Sequence, residues 1–141
     1  MTEEQIERPN EANGGLNVLV VDDSSVARAM IIKTLRMAEL PLSEIREAAN
    51  GQDALAAIEE HWIDLVLADI NMPVMGGDEM IDRIRDNPGW ADLAVIVIST
   101  DGNRPRIEKL VHQGVMFLRK PFTPETLSDV VTELLEISYV Q

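Results

Sequence analysis

The sequence predicts an α/β fold in which five strands alternate with five helices, (βα)5, and a parallel sheet is covered on both faces. Three observations carry this. Short uninterrupted apolar runs rich in β-branched residues recur along the chain, as strands buried on both faces require. Segments with apolar residues at helical spacing separate them. From residue 17 onward no repeat, low-complexity stretch or linker interrupts the alternation, so 17–141 reads as one domain.

Residues 1–16 hold four Glu with Asn, Gly and Pro and few apolar side chains. They read as a flexible acidic tail, more a solubilising segment than a tether. Strand β1 is predicted at 18–21 (Val-Leu-Val-Val), and helix α1 at 25–38 with Val26, Met30 and Leu35. A weaker strand, β2, falls at 45–48, followed by α2 at 52–61 with Leu55 and Ile58. Strand β3 spans 64–68, and α3 spans 77–85 with Met80, Ile81 and Ile84. Strand β4 covers 94–98. The polar stretch 101–105 then leads to α4 at 106–113, with Pro105 near its start. Strand β5 is predicted at 115–118. Helix α5 is the best marked: Thr123 is a natural N-cap, Pro124 suits the first helical position, and Leu127, Val130, Val131, Leu134 and Leu135 share one face.

Composition narrows the function. The 141 residues carry 25 acidic and 12 Lys or Arg side chains, a formal charge of −13, and no Cys. Thiolate metal sites and Cys nucleophiles are excluded. Phosphate backbones repel so anionic a surface, which argues against direct nucleic-acid binding. No apolar run is long enough to insert in a membrane, and the polar N-terminus resembles no targeting peptide. A cytoplasmic protein is expected.

In an open parallel sheet, ligands gather beyond the carboxyl ends of the strands. Strand β1 delivers Asp22 and Asp23 there, β3 delivers Asp69, β4 delivers Ser99 and Thr100, and β5 delivers Lys120 and Pro121. Any one of these alone reads as a turn or cap residue. Their joint arrival at one rim points to chemistry. Clustered carboxylates raise one another's pKa unless a cation neutralises them, and an all-oxygen donor set selects Mg2+ or Mn2+. A carboxylate, a hard metal, an amine and a hydroxyl make a phosphoryl-transfer site with the carboxylate as nucleophile. Asp69 stands alone at the end of a central strand and is the candidate nucleophile, while Asp22 and Asp23 suit metal holding.

The segments VLVVDDS (18–24), EAANGQDAL (47–55), DLVLADINMPVMGG (64–77), VIVIST (95–100) and FLRKPFT (117–123) together resemble the CheY-like receiver domain of two-component response regulators, over roughly 17–137. The resemblance implies a flavodoxin-like three-layer sandwich with strand order 2-1-3-4-5. It implies that Asp69 is the phosphoacceptor for a sensor histidine kinase. Asp23, Asp69 and the backbone carbonyl of Asn71 would bind Mg2+ directly, and Asp22 through water. Lys120 would pair with the phosphoryl group, Ser99 and Phe117 would be the switch residues, and Lys120–Pro121 would be a cis peptide. Two departures stand out. Phe117 lacks the hydroxyl of the commoner Tyr, and Thr100 is larger than the usual Ala or Gly, a side chain that could crowd the phosphoryl oxygens.

The expected protein is thus a stand-alone phosphoacceptor switch rather than a conventional enzyme, catalysing only its own phosphorylation and slow dephosphorylation. Its output would pass through the α4-β5-α5 surface to a partner protein, as a chemotaxis-type effector. The alternative is a phosphorelay intermediate serving a His phosphotransfer protein. A small Asp-nucleophile phosphohydrolase is more distant, because no Asp-x-Asp start and no cap segment are present. A flavodoxin-like cofactor carrier lacks its phosphate loop. His61, His112, Trp62 and Trp90 read as bystanders, the tryptophans partly buried near helix ends.

Overall fold

A strand that is apolar at every position has no face to give to water, so helices must cover both sides of the sheet it joins. Such strands form the centre of this computed structural model, which describes residues 15–100 and 102–139. The elements run β1 (Leu16–Val21), α1 (Ser25–Met37), β2 (Leu42–Ala48), α2 (Gly51–Glu60), β3 (Leu65–Ala68), α3 (Gly77–Asp86), β4 (Ala94–Ser99), α4 (Arg104–His112), β5 (Met116–Arg119) and α5 (Pro124–Tyr139). The five strands are all parallel and lie in the order β2-β1-β3-β4-β5. Fold class and strand order match the expectation.

Alternation along the strands builds two cores. Leu16, Val18 and Val20 of β1, with Leu65, Leu67, Ile96 and Ile98, pack under Ile31 and Leu35 of α1 and Leu127 and Val131 of α5. Leu19 and Val21, with Val66, Ala68, Val95 and Val97, pack under Ala54 and Ile58 of α2, Met80, Ile81 and Ile84 of α3 and Leu110 of α4. Each large side chain so buried contributes about 1.5–3 kcal/mol.

The boundaries differ in instructive ways. Leu16 lies inside β1, opposite Leu42, and its N–H donates to the Pro41 carbonyl at 2.7 Å. Leu16, expected in the tail over 1–16, is therefore a strand residue, and residues 1–14 of that expectation lie outside the described residues. Strand β2 starts three residues before its expected position. It is an edge strand, so 42–44 carry too little apolar signal to be read as strand. Helix α4 starts two residues early because the Asn103 side chain caps it, accepting from the Arg106 N–H at 2.9 Å. A short 3₁₀ turn, Pro88–Trp90, is additional to the expected elements. Ser24 caps α1 and Thr123 caps α5, accepting from the N–H groups of Ala27 and Thr126.

Candidate functional site

Register decides which side chains meet. Val21 of β1 lies opposite Ala68 of β3, so the next residues, Asp22 and Asp69, leave the sheet at the same level. The ladder continues one step past the strands. The Asp69 N–H donates to the Val21 carbonyl at 2.9 Å, the Asp22 N–H to Ala48 at 3.1 Å, and the Lys120 N–H to Ser99 at 3.0 Å. Three strands thus hold these residues by their backbones, and only the side chains project over the rim.

Asp22, Asp23 and Asp69 come together, with carboxylate oxygens all within 4.8 Å of one another. Asp22 is buried, Asp69 half-buried and Asp23 exposed. One Asp22 oxygen accepts the Ser24 N–H at 2.9 Å. The other is buried without a hydrogen-bond partner. The Lys120 amine stands 4.0 Å from it, near enough for charge attraction but beyond hydrogen-bond reach. The Asp69 carboxyl is held above its ordinary pKa, chiefly by burial and then by the Asp22 charge, with Asp23 adding a little; the Ile70 N–H and Lys120 oppose this.

The loop after Asp69 is drawn tight beneath it. The Gly77 N–H donates to the Ile70 carbonyl at 2.8 Å, and the Gly51 N–H to Met75 at 2.9 Å. A Cβ on Gly77 would lie 2.8 Å from both the Asp69 carbonyl oxygen and the Ile70 Cα, so only glycine fits there. Asn71 is exposed at the start of this loop. Val74, also exposed, has φ 68°, a strained backbone for a β-branched residue.

Ser99 closes β4 and is 3 % exposed, whereas Thr100 is exposed. Phe117 is half-buried against the core under α3 and α4. The Lys120–Pro121 peptide is cis. Pro105 lies in the first turn of α4, and Asp101 lies outside the described residues. His112 is exposed, and the half-buried His61 lies 3.9 Å from Glu60. Trp90 packs partly against the core, whereas Trp62 donates its indole N–H to Asp64 at 2.8 Å.

Arg28 has no place among the residues singled out by the sequence pattern. Its guanidinium donates to the Asp22 carbonyl at 2.6 Å and to Glu47 at 2.8 Å. A basic residue one turn into a helix is ordinary, and no sequence signal marks the contact.

The donor set fits a hard divalent cation. Three carboxylates converge, one buried oxygen lacks a partner, and no sulfur or imidazole is present in the cluster. The arrangement can hold such an ion, present a carboxylate nucleophile and offer an ammonium to an anion.

Residues 18–132 match the response regulator receiver domain family. Among curated relatives, a CheY homologue of Campylobacter jejuni is 30% identical, the match covering 85% of this chain and 92% of that protein. The chemotaxis protein CheY-3 of Vibrio cholerae is 31% identical over 88% of this chain and 95% of its own. The solved structure of Vibrio cholerae CheY4 superimposes with a TM-score of 0.75 at 31% identity, covering 85% of this chain and 98% of that one. Sheet order, rim chemistry and these matches agree, and the chain belongs to the response regulator receiver domain family.

Proposed function

We propose that this chain is a phosphorylation-driven switch. Asp69 accepts a phosphoryl group from a sensor histidine kinase, and the altered α4-β5-α5 surface signals to a partner protein in the cytoplasm. The observation that carries the reading is the position of Lys120: strand β5, at the far edge of the sheet, brings its amine to 4.0 Å from Asp22, where its charge also acts on the Asp69 carboxyl. Among the described residues no helix is long and apolar enough to cross a membrane.

An Asp69 carboxylate oxygen attacks the phosphorus of the donor phosphohistidine. The P–N bond breaks, its electron pair stays on the imidazole, and Asp69 becomes an acyl phosphate. Asp23, Asp69 and the Asn71 carbonyl would hold Mg2+, with Asp22 acting through water, and the ion would supply charge neutralisation on the phosphoryl oxygens. The Lys120 ammonium pairs with one of these oxygens, and the Ser99 hydroxyl turns to donate to another. Phe117 follows into the space Ser99 leaves. The phosphoryl group biases an existing two-state equilibrium, and moving it from 1:99 to 99:1 takes about 5.5 kcal/mol of differential stabilisation. Water later attacks the phosphorus, releases phosphate and restores the carboxylate.

The packing supports a route to α4. Helix α3 begins where the phosphoacceptor loop ends, and its Asp78 accepts from the Arg106 guanidinium of α4 at 2.6 Å and 3.0 Å. Asp82, a turn later, accepts from Gln113 at 2.7 Å and lies 3.6 Å from Lys109. The likeness to chemotaxis proteins over nearly their whole length favours the effector role over a phosphorelay intermediate.

Acetyl phosphate with Mg2+ should add one phosphate to the wild-type protein, seen by intact mass, and none to Asp69→Asn. Retained labelling moves the nucleophile elsewhere. Capture of a partner by beryllofluoride-treated protein alone identifies the effector, whereas transfer to a His phosphotransfer protein identifies the relay.

A further inference from the structure

Arg28 is the strongest unexplained polar side chain near the rim. It projects from the first turns of α1, and its side chain is only 17% exposed. Its fork ends on two different strands. One arm donates to the Asp22 carbonyl at the end of β1, 2.6 Å away, and Nε donates to Glu47 near the end of β2, 2.8 Å away. Neither partner is the reacting carboxylate.

The contact completes the fixing of one residue. The Asp22 N–H is held by the Ala48 carbonyl, one side-chain oxygen by the Ser24 N–H, and the carbonyl by Arg28. With three points held, the remaining Asp22 oxygen stays buried, unpartnered and beside Lys120, and the Asp22–Asp23 peptide cannot rotate freely. A peptide that rotated would swing both carboxylates. The other two fixed points of Asp22 are hydrogen bonds donated by backbone N–H groups, its own in the strand ladder and that of Ser24; this one is a side-chain clamp from a helix.

We infer that Arg28 is a positioning residue for divalent-cation binding: it clamps the Asp22–Asp23 peptide so that the two carboxylates face Asp69. The inference rests on the metal-dependent reading above. It has a sign that separates it from simple electrostatics. A cation beside an acidic cluster repels Mg2+, so removing its charge alone should tighten Mg2+ binding. Removing a clamp should weaken it, because residues that orient metal ligands typically contribute 10- to 100-fold in affinity.

The test is a calorimetric titration of the full chain with MgCl2, with thermal unfolding measured in metal-free buffer. Arg28→Met keeps the apolar stem and deletes the fork. It should raise the Mg2+ Kd about tenfold while leaving the metal-free unfolding temperature within a few degrees of wild type. Arg28→Lys keeps the charge but cannot span both partners, and should bind with intermediate affinity. Binding by Arg28→Met as tight as wild type, or tighter, overturns the proposal. If that variant does not fold, Arg28→Lys decides: wild-type affinity overturns the clamp, weaker affinity supports it. A wild-type protein that binds no Mg2+ overturns the metal-dependent reading and the clamp together, whereas normal wild-type binding with an unaffected variant overturns the clamp alone.

Discussion

The two rims of the sheet place the same kind of side chain in opposite circumstances. At the amino-end rim, Asp64 precedes β3. One of its carboxylate oxygens accepts the Asn17 N–H at 2.9 Å, and the other accepts the Trp62 indole N–H at 2.8 Å. Its own N–H returns to the Asn17 carbonyl at 2.8 Å, and the Asn17 side chain accepts from Glu44. At the carboxyl-end rim, three carboxylates crowd together and one buried oxygen has no hydrogen bond. A strand-end Asp is therefore not functional by position. What distinguishes the two rims is satisfaction: the saturated carboxylate stabilises the fold, and the unsatisfied cluster retains attraction for something from outside.

The largest effect should come from breaking the saturated side. Asp64→Ala leaves the Asn17 and Trp62 N–H groups without these acceptors, and each partly buried orphan costs about 1–3 kcal/mol. Denaturant unfolding should show a loss on the order of 3 kcal/mol, with Mg2+ affinity unchanged. A stability near wild type would mean that water replaces the carboxylate readily, and the contrast between the rims would weaken.

The opposite rim should respond to a ligand instead. Mg2+ binding only the folded state should stabilise wild type by about 2.7 kcal/mol at a hundred times its Kd, read as a rise in unfolding temperature. Asp23→Ala should lose most of that rise, and Asp64→Ala should keep it. Equal Mg2+ stabilisation of wild type and Asp23→Ala would remove Asp23 from the ligand set.

How far this contrast shows in the sequence depends on what each rim is made from. Asp22 and Asp69 are legible because each directly follows an apolar strand, and Lys120 because it comes two residues after the apolar run 115–118; parallel strands end at a common rim by topology. The Asn17–Asp64–Trp62 knot is not legible. Asp64 reads as the first residue of a strand and Trp62 as a bystander near a helix end, and only the pairing of β1 with β3 brings Asn17 to them. Arg28 is hidden for the same reason. So is Arg85, whose half-buried guanidinium donates to the carbonyls of Ala91, Leu93 and Gln113 and ties α3 to the loops on either side. Patterns along the chain report which face is buried; they carry no record of which carbonyl a long side chain will reach.

The smallest effect is the sharpest in sign. Burial and the Asp22 charge hold the folded Asp69 pKa above its ordinary value of 3.8. As pH rises through 3.8, the unfolded chain releases its Asp69 proton first and the folded chain retains it. Over that window the folded state binds more protons, so this group lowers stability as pH rises, until the folded carboxyl has also ionised. Above the window the full cost remains. Asp69→Asn removes the charge and should be more stable than wild type at neutral pH without metal, by less than about 1 kcal/mol because the group is half-exposed and screened. Below pH 3.8 both states of wild type are protonated, and the advantage should vanish. Chemical denaturation of the two proteins across pH 3 to 8, in chelator, measures the difference directly. An Asn variant less stable than wild type at neutral pH would mean that attraction to Lys120 outweighs repulsion within the acid cluster, and that the carboxyl-end rim is satisfied after all.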